Sequence, residues 1–121
     1  MVRTGVNFVR EGSLFDWLLV FLRLRGRFTV SGASMFPTLA AGDEVVVDYG
    51  AYRRKGPAVG DVVLAMSPDG AAYGRIVKRV AGVSADGRFF LLGDNPEEST
   101  DSRHYGPLPA QYILGKVVCK F

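Results

Sequence analysis

The sequence predicts an all-β fold, a small mixed β-barrel or sandwich preceded by one short apolar helix. Three observations predict it. From Phe28 onward the apolar residues fall in short runs with the two-residue alternation of strands. Turn-forming clusters separate these runs, at Ala41-Gly42-Asp43, Gly56-Pro57, Val59-Gly60-Asp61, Pro68-Asp69-Gly70 and Asp86-Gly87. One stretch alone, Leu14 to Leu22, places apolar residues around a helical face. A chain of 121 residues, 48% of them hydrophobic, fits one domain with a real core. The expected division is a segment 1–27 carrying the helix and a β domain 28–121.

Taken in order, Met1 to Gly12 is weakly patterned. Leu14, Leu18 and Leu22 share a helical face that Trp17 and Phe21 widen, and Arg23, Arg25 and Arg27 follow. The run falls short of the roughly 20 residues a membrane span needs. Asp16 within it, and no small-residue cleavage site after it, fit a signal peptide poorly. Two readings stay open: a helix packed on protein, or an interfacial helix with arginines at the headgroups. The strand candidates are Phe28–Ser31, Glu44–Tyr49, Asp61–Met66, Tyr73–Val83, Arg88–Leu92 and Ile113–Lys120. Gly74 inside one of them suggests a bulge or a close backbone approach. Glu97 to Pro109 reads as a polar loop returning to the last strand.

Net charge is +3, from 15 basic and 12 acidic residues. No Lys/Arg stripe interleaved with aromatics is present, so no nucleic-acid partner is expected. One cysteine, Cys119, excludes a disulfide framework and a multi-cysteine zinc site. One histidine, His104, leaves a transition metal without a ligand set; no metal and no cofactor are expected. A Ser-His-Asp arrangement would have to use His104.

Three stretches carry candidate chemistry. In Val30-Ser31-Gly32-Ala33-Ser34-Met35-Phe36-Pro37-Thr38-Leu39 a strand runs into a corner stiffened by Pro37, with a hydroxyl at its tip. Gly32 and Ala33 add little bulk, so another backbone can approach Ser34. The same stretch also fits an ordinary proline-capped turn. A serine hydroxyl needs a base to act as a nucleophile. Lys78, in Arg75-Ile76-Val77-Lys78-Arg79-Val80, shares a strand face with Ile76 and Val80. Burial there disfavours the ammonium form. Holding a lysine neutral at pH 7 costs about 4–5 kcal/mol from a reference pKa near 10.4. An edge-strand lysine that guards against aggregation is the alternative. The third stretch, Gly93-Asp94-Asn95-Pro96-Glu97-Glu98-Ser99-Thr100-Asp101-Ser102-Arg103, is dense in turn formers and hydroxyls. Asp94 and Asp101 are placed to pair with Arg79 and Arg103. Ser99 is suited to orient a neutral amine without the charge of a carboxylate.

Together these stretches resemble the bacterial signal peptidase I family of serine proteases: Gly32-x-Ser34-Met35-x-Pro37-Thr38-Leu39, then Ile76-Val77-Lys78-Arg79-Val80, then Gly93-Asp94-Asn95 with Ser99-x-Asp101-Ser102-Arg103. The resemblance runs from about Phe28 to the end and implies a Ser-Lys dyad on an all-β catalytic core. It implies Ser34 as nucleophile, with its backbone N–H holding the oxyanion, and Lys78 as general base. Ser99 would orient the lysine, and Arg79–Asp94 and Asp101–Arg103 would be structural pairs. Gly32 stands where some members carry a helping serine. Val30, Ser31, Ala33, Met35 and Phe36 would contact an extended substrate. Compared with typical members, only a short hairpin fills Ala81 to Leu92, and the apolar run at Leu14 to Leu22 is short; the chain looks like a minimal core. Residues 93–96 and 99–106 are worded most like the nickel-type superoxide dismutase maturation proteases. That resemblance implies removal of a leader from a superoxide dismutase precursor by an enzyme that is cytoplasmic, or peripheral at the membrane's inner face through Leu14 to Leu22. A signal peptidase acting on secretory preproteins and a silent peptide-binding module of the same fold are the alternatives.

Overall fold

The computed structural model describes residues 9–21, 25–68 and 74–121. Leu22 and Arg23, part of the turn at 68–70, and Tyr73 lie outside the described residues. The elements are β1 (Arg10–Glu11), α1 (Leu14–Phe21), β2 (Gly26–Thr29), β3 (Glu44–Asp48), β4 (Val62–Met66), β5 (Arg75–Val83), β6 (Phe89–Leu92), α2 (Ser102–Tyr105) and β7 (Ile113–Lys120). Short 3₁₀ turns occupy Pro96–Glu98 and Ala110–Tyr112.

The strands form one sheet in the order β2-β3-β7-β4-β5-β6. Every neighbouring pair in it is antiparallel. β1 adds in parallel to the far end of β7, with Arg10 opposite Cys119 and Glu11 opposite Lys120. Alternation puts Val62 and Leu64 of β4 in one apolar cluster with Val30, Met35, Leu39, Val45, Val47, Val77 and Val117. Val63 and Ala65 fall in a second, with Val80, Phe89, Leu91 and Leu108. The central strands are therefore buried on both faces, which explains why they read as near-continuous valine runs.

The expected barrel or sandwich is not formed; the sheet stays open between β2 and β6. The reason lies in where the edge strands stop. β2 ends at Thr29 and, among the described residues, pairs only with β3, and the chain then leaves for the turn that carries Ser34. β6 ends at Leu92 opposite Arg79, so residues 75–78 of β5 pair with β4 and have no strand partner on their other side among the described residues. Register shifts between Val46/Val47, Leu64/Ala65 and Val80/Gly82 mark bulges, which bend the sheet without closing it.

The N-terminal arm is fastened to the sheet by one carboxylate. Ser13 and Asp16 form a reciprocal cap at the start of α1: the Ser13 N–H donates to Asp16 Oδ2 at 3.0 Å and the Asp16 N–H to Ser13 Oγ at 3.4 Å. Asp16, fully buried, also accepts two bonds of 2.7 Å from Arg10 of β1 and one of 2.8 Å from Arg25 just before β2. Trp17 stacks on Phe121, with ring centres 4.4 Å apart, and Arg27 lies over its ring. Leu14, Phe15 and Leu18 stay exposed. No helix among the described residues is long and apolar enough to cross a membrane.

The Arg10 guanidinium holds the Asp16 carboxyl well below the usual carboxylate range; burial pushes the other way and Ser13 adds to the lowering. A carboxylate depressed in the folded state stabilises above its unfolded pKa, and that stability is lost as pH falls. Denaturant unfolding at a series of pH values should show Asp16→Asn less stable at pH 7, by about 1–3 kcal/mol. Its stability should also fall less steeply below about pH 4. Equal stability at pH 7 would mean that the carboxylate holds nothing.

Candidate active site

The turn that carries Ser34 is set from both ends. The Val30 N–H donates to the Asp43 carbonyl and the Gly42 N–H to that of Val30, both at 2.8 Å, which fixes the exit from β2. Gly32 takes a φ of +75° with open space around it. Bonds from Phe36 N–H to Ala33 O (3.2 Å) and from Leu39 N–H to Met35 O (2.9 Å) wind the turn, and the Phe36–Pro37 peptide is cis. Met35 and Leu39 are buried in the first cluster and anchor it, while Phe36 faces solvent.

Lys78 lies mid-strand in β5, opposite Val63, with 4% of its surface exposed. Its Nζ is 3.1 Å from Ser99 Oγ. Burial pulls its pKa below the ordinary lysine value; Asp101 opposes that shift and Arg103 adds to it. The Ser99 hydroxyl donates to Asp101 Oδ2 at 2.6 Å, which leaves its lone pairs to face the amine.

Asp101 is the hub of the loop. Besides Ser99 it accepts from the Gly93 N–H at 2.9 Å, from the Arg103 N–H at 3.1 Å, and from Arg103 Nε and Nη2 at 2.9 and 2.6 Å. Burial raises its carboxyl, but the bonds from Arg103, Ser99 and the two backbone donors outweigh it and hold it low. Asp94 is the second fastening. Arg79 grips it with two bonds of 2.9 Å, Thr38 Oγ1 donates to it at 2.6 Å, and Arg79 also reaches the Gly60 carbonyl. Asn95 donates its N–H to Ser34 O at 2.8 Å and its side-chain amide to Ala33 O at 3.1 Å. Loop 93–101 thus touches the serine turn and the lysine together. Gly93 stands at the tightest point: a Cβ there would overlap the Ser99 side chain and lie 2.7 Å from Ser34 O.

Ser34 and Lys78 line one groove of about 360 Å³. Of the expected substrate contacts, Val30, Ser31 and Met35 line it as well, while Ala33 and Phe36 are not in its wall. Phe28, at the start of the strand edge expected to meet the substrate, lines it too; sequence reasoning missed Ser67, Arg75, Thr100 and Tyr105, which also line it. It missed too the bonds from Thr38 and Asn95, whose only sequence signal was their place inside the matched stretches. His104 lies elsewhere: its Nδ1 accepts the Asp101 N–H and completes a capping box at the start of α2. Cys119 is buried beside β1 and β3, and burial pushes its thiol up to about 11. Among the described residues no group of His, Cys, Asp or Glu is arranged to hold a metal ion.

The family described as signal peptidase, peptidase S26 matches residues 12–87 and 83–121. The chain belongs to the signal peptidase S26 family. A mitochondrial ATP-independent inner membrane protease subunit 1a of Arabidopsis thaliana is 31% identical, over 89% of this chain and 80% of its own. The mitochondrial inner membrane protease subunit 1 of Schizosaccharomyces pombe is 36% identical, over 74% and 69%. A probable signal peptidase I-1 of Synechocystis is 26% identical, over 95% and 83%. The chain is thus a serine protease of signal-peptidase type, the class that removes N-terminal leader peptides. These relatives overturn the expected cytoplasmic location, since the mitochondrial proteases are named for an inner membrane. They give no specific link to the superoxide dismutase maturation proteases.

In this S26 protease, Gly93→Ala should keep the fold and displace Ser99 or Ser34. Leader-peptide cleavage should fall about 100-fold, the scale set by a misplacement of about 1 Å. Circular dichroism and a cleavage assay would check both halves; undiminished cleavage would show that the close approach is not needed.

Proposed function

We propose that the protein cleaves leaders through a Ser-Lys dyad, with Ser34 as nucleophile and Lys78 as general base. One observation carries this: the serine and a buried amine, hydrogen-bonded to a hydroxyl and, among the described residues, to no carboxylate, line the same groove. Neutral Lys78 takes the proton from Ser34 Oγ, and the oxygen attacks the scissile carbonyl. The Ser34 N–H stabilises the oxyanion. The ammonium of Lys78 then gives its proton to the departing amine, leaving an ester on Ser34. Water deprotonated by Lys78 hydrolyses that ester and frees the serine. Ser99 keeps the amine aimed, and the Arg79–Asp94 and Asp101–Arg103 pairs keep the loop in place.

The substrate lies extended across the gap between β2 and residues 75–78 of β5. Both present an unpaired strand edge to the groove, which suits strand addition. Val30 and Met35 form apolar wall beside the serine. The substrates are leader-bearing preproteins processed at a membrane, as the names of the inner membrane proteases suggest. A nickel superoxide dismutase precursor is the narrower reading, supported only by the wording of residues 93–106.

Both precursor types should be offered side by side, with mass spectrometry of the new N-termini. A membrane-directed preprotein should be cut and the superoxide dismutase precursor should not; the reverse result would restore the narrower reading. Ser34→Ala and Lys78→Met should each abolish cleavage without unfolding the protein, while His104→Ala should keep most of it. An active Lys78→Met would end the dyad. Because the neutral amine is the working form and its pKa is lowered, activity should rise with pH through neutrality and level off below the ordinary lysine value near 10.4. A fall over that range would require another base.

A further inference from the structure

Arg75 lines the groove together with Ser34 and Lys78, yet neither the dyad nor its supports use it. Most arginines of the described sheet are matched by carboxylates: Arg10 and Arg25 by Asp16, Arg27 by Glu44, Arg79 by Asp94. Arg75 has no ion pair among the described residues, and it is exposed. Its backbone is held firmly. It pairs with Met66 across β4, and the Ser67 N–H donates to the Gly74 carbonyl at 2.7 Å just before it. Arg75 lies on the stretch of β5 whose other edge is open to an extended chain. An exposed guanidinium on the wall of a peptide groove, with no counter-ion among the described residues, favours a carboxylate on whatever occupies the groove.

We propose that Arg75 is a specificity residue that selects leaders with an aspartate or glutamate about three residues from the scissile bond. The spacing follows from the strand: Arg75 is three residues from Lys78, about 10 Å along β5, and an extended substrate advances at the same rate. The inference rests on the peptidase reading above and adds charge selection to it.

The test uses a leader peptide that the protein cleaves, carrying glutamine at every permitted position from three before to three after the cut. Glutamate then replaces glutamine at one position at a time. At one position about three residues from the cut, glutamate should raise kcat/KM about three- to fivefold, mostly through KM, as a solvent-accessible ion pair allows. The preference should shrink at high salt. It should vanish in Arg75→Gln, persist in Arg75→Lys, and turn to a preference for lysine in Arg75→Glu. Binding of the same peptides to Ser34→Ala, followed by fluorescence anisotropy, should show the same order without any cleavage. Cleavage that is equally indifferent to charge in the unaltered protein and in Arg75→Gln would overturn the selection and leave the peptidase reading standing. Failure to cleave any leader peptide would overturn both.

Discussion

A carboxylate shut away from solvent, Asp101, sets the geometry on which the site depends. It gathers one hydroxyl, two backbone N–H groups and a guanidinium at distances of 2.6 to 3.1 Å. A carboxylate this enclosed survives only when its oxygens are saturated with donors. Saturation has a consequence for chemistry. The charge acts on Lys78 only across Ser99, so the amine receives a hydrogen-bonding partner without a direct counter-ion. Direct contact would favour the ammonium form. Arg103 reinforces this, since its positive charge offsets the pull of Asp101 on the lysine.

The second constraint is the open sheet. A closed barrel has no unpaired edge, and an extended peptide would find no backbone to bond. Here β2 ends after four residues and β6 ends at Leu92, and the gap between them opens beside Ser34 and Lys78. Loop 93–101 is fastened on two sides. Through Asp94 it is bound to Thr38 and Arg79, and through Asn95 to the carbonyls of Ala33 and Ser34. The loop therefore contacts both the lysine and the serine turn.

Much of this was legible in the sequence because the central strands are short valine runs punctuated by glycine and aspartate; β7 was expected at Ile113–Lys120 and is found there. The edges were less legible. β2 was expected at Phe28–Ser31 but spans Gly26–Thr29, because Val30 leaves the strand to bond Asp43 and Gly42 across the turn. Two-residue β1 carries no pattern at all; it exists because Arg10 binds Asp16 and the Gly12 N–H reaches the Lys120 carbonyl. Closure failed as an expectation for a related reason: alternation reports which face a residue buries, not whether the last strand meets the first. In the site, residue types and order pointed to Ser34, Lys78 and the loop. Thr38 and Asn95 act through bonds to residues 56 and about 60 positions away, which no local pattern encodes.

The distribution of charge separates holding from handling. Asp16, Asp94 and Asp101 are each bound by arginine and by further donors, and each ties together segments distant in the fold or within the loop. None of the three lines the groove. What does line it is cationic or neutral: Lys78 against a single hydroxyl, Arg75 without an internal partner among the described residues, and hydroxyls and apolar side chains between them. Carboxylates on the wall would have fixed the lysine as ammonium and neutralised the arginine. The acids are thus kept to the framework, and the groove wall carries basic, hydroxyl and apolar side chains.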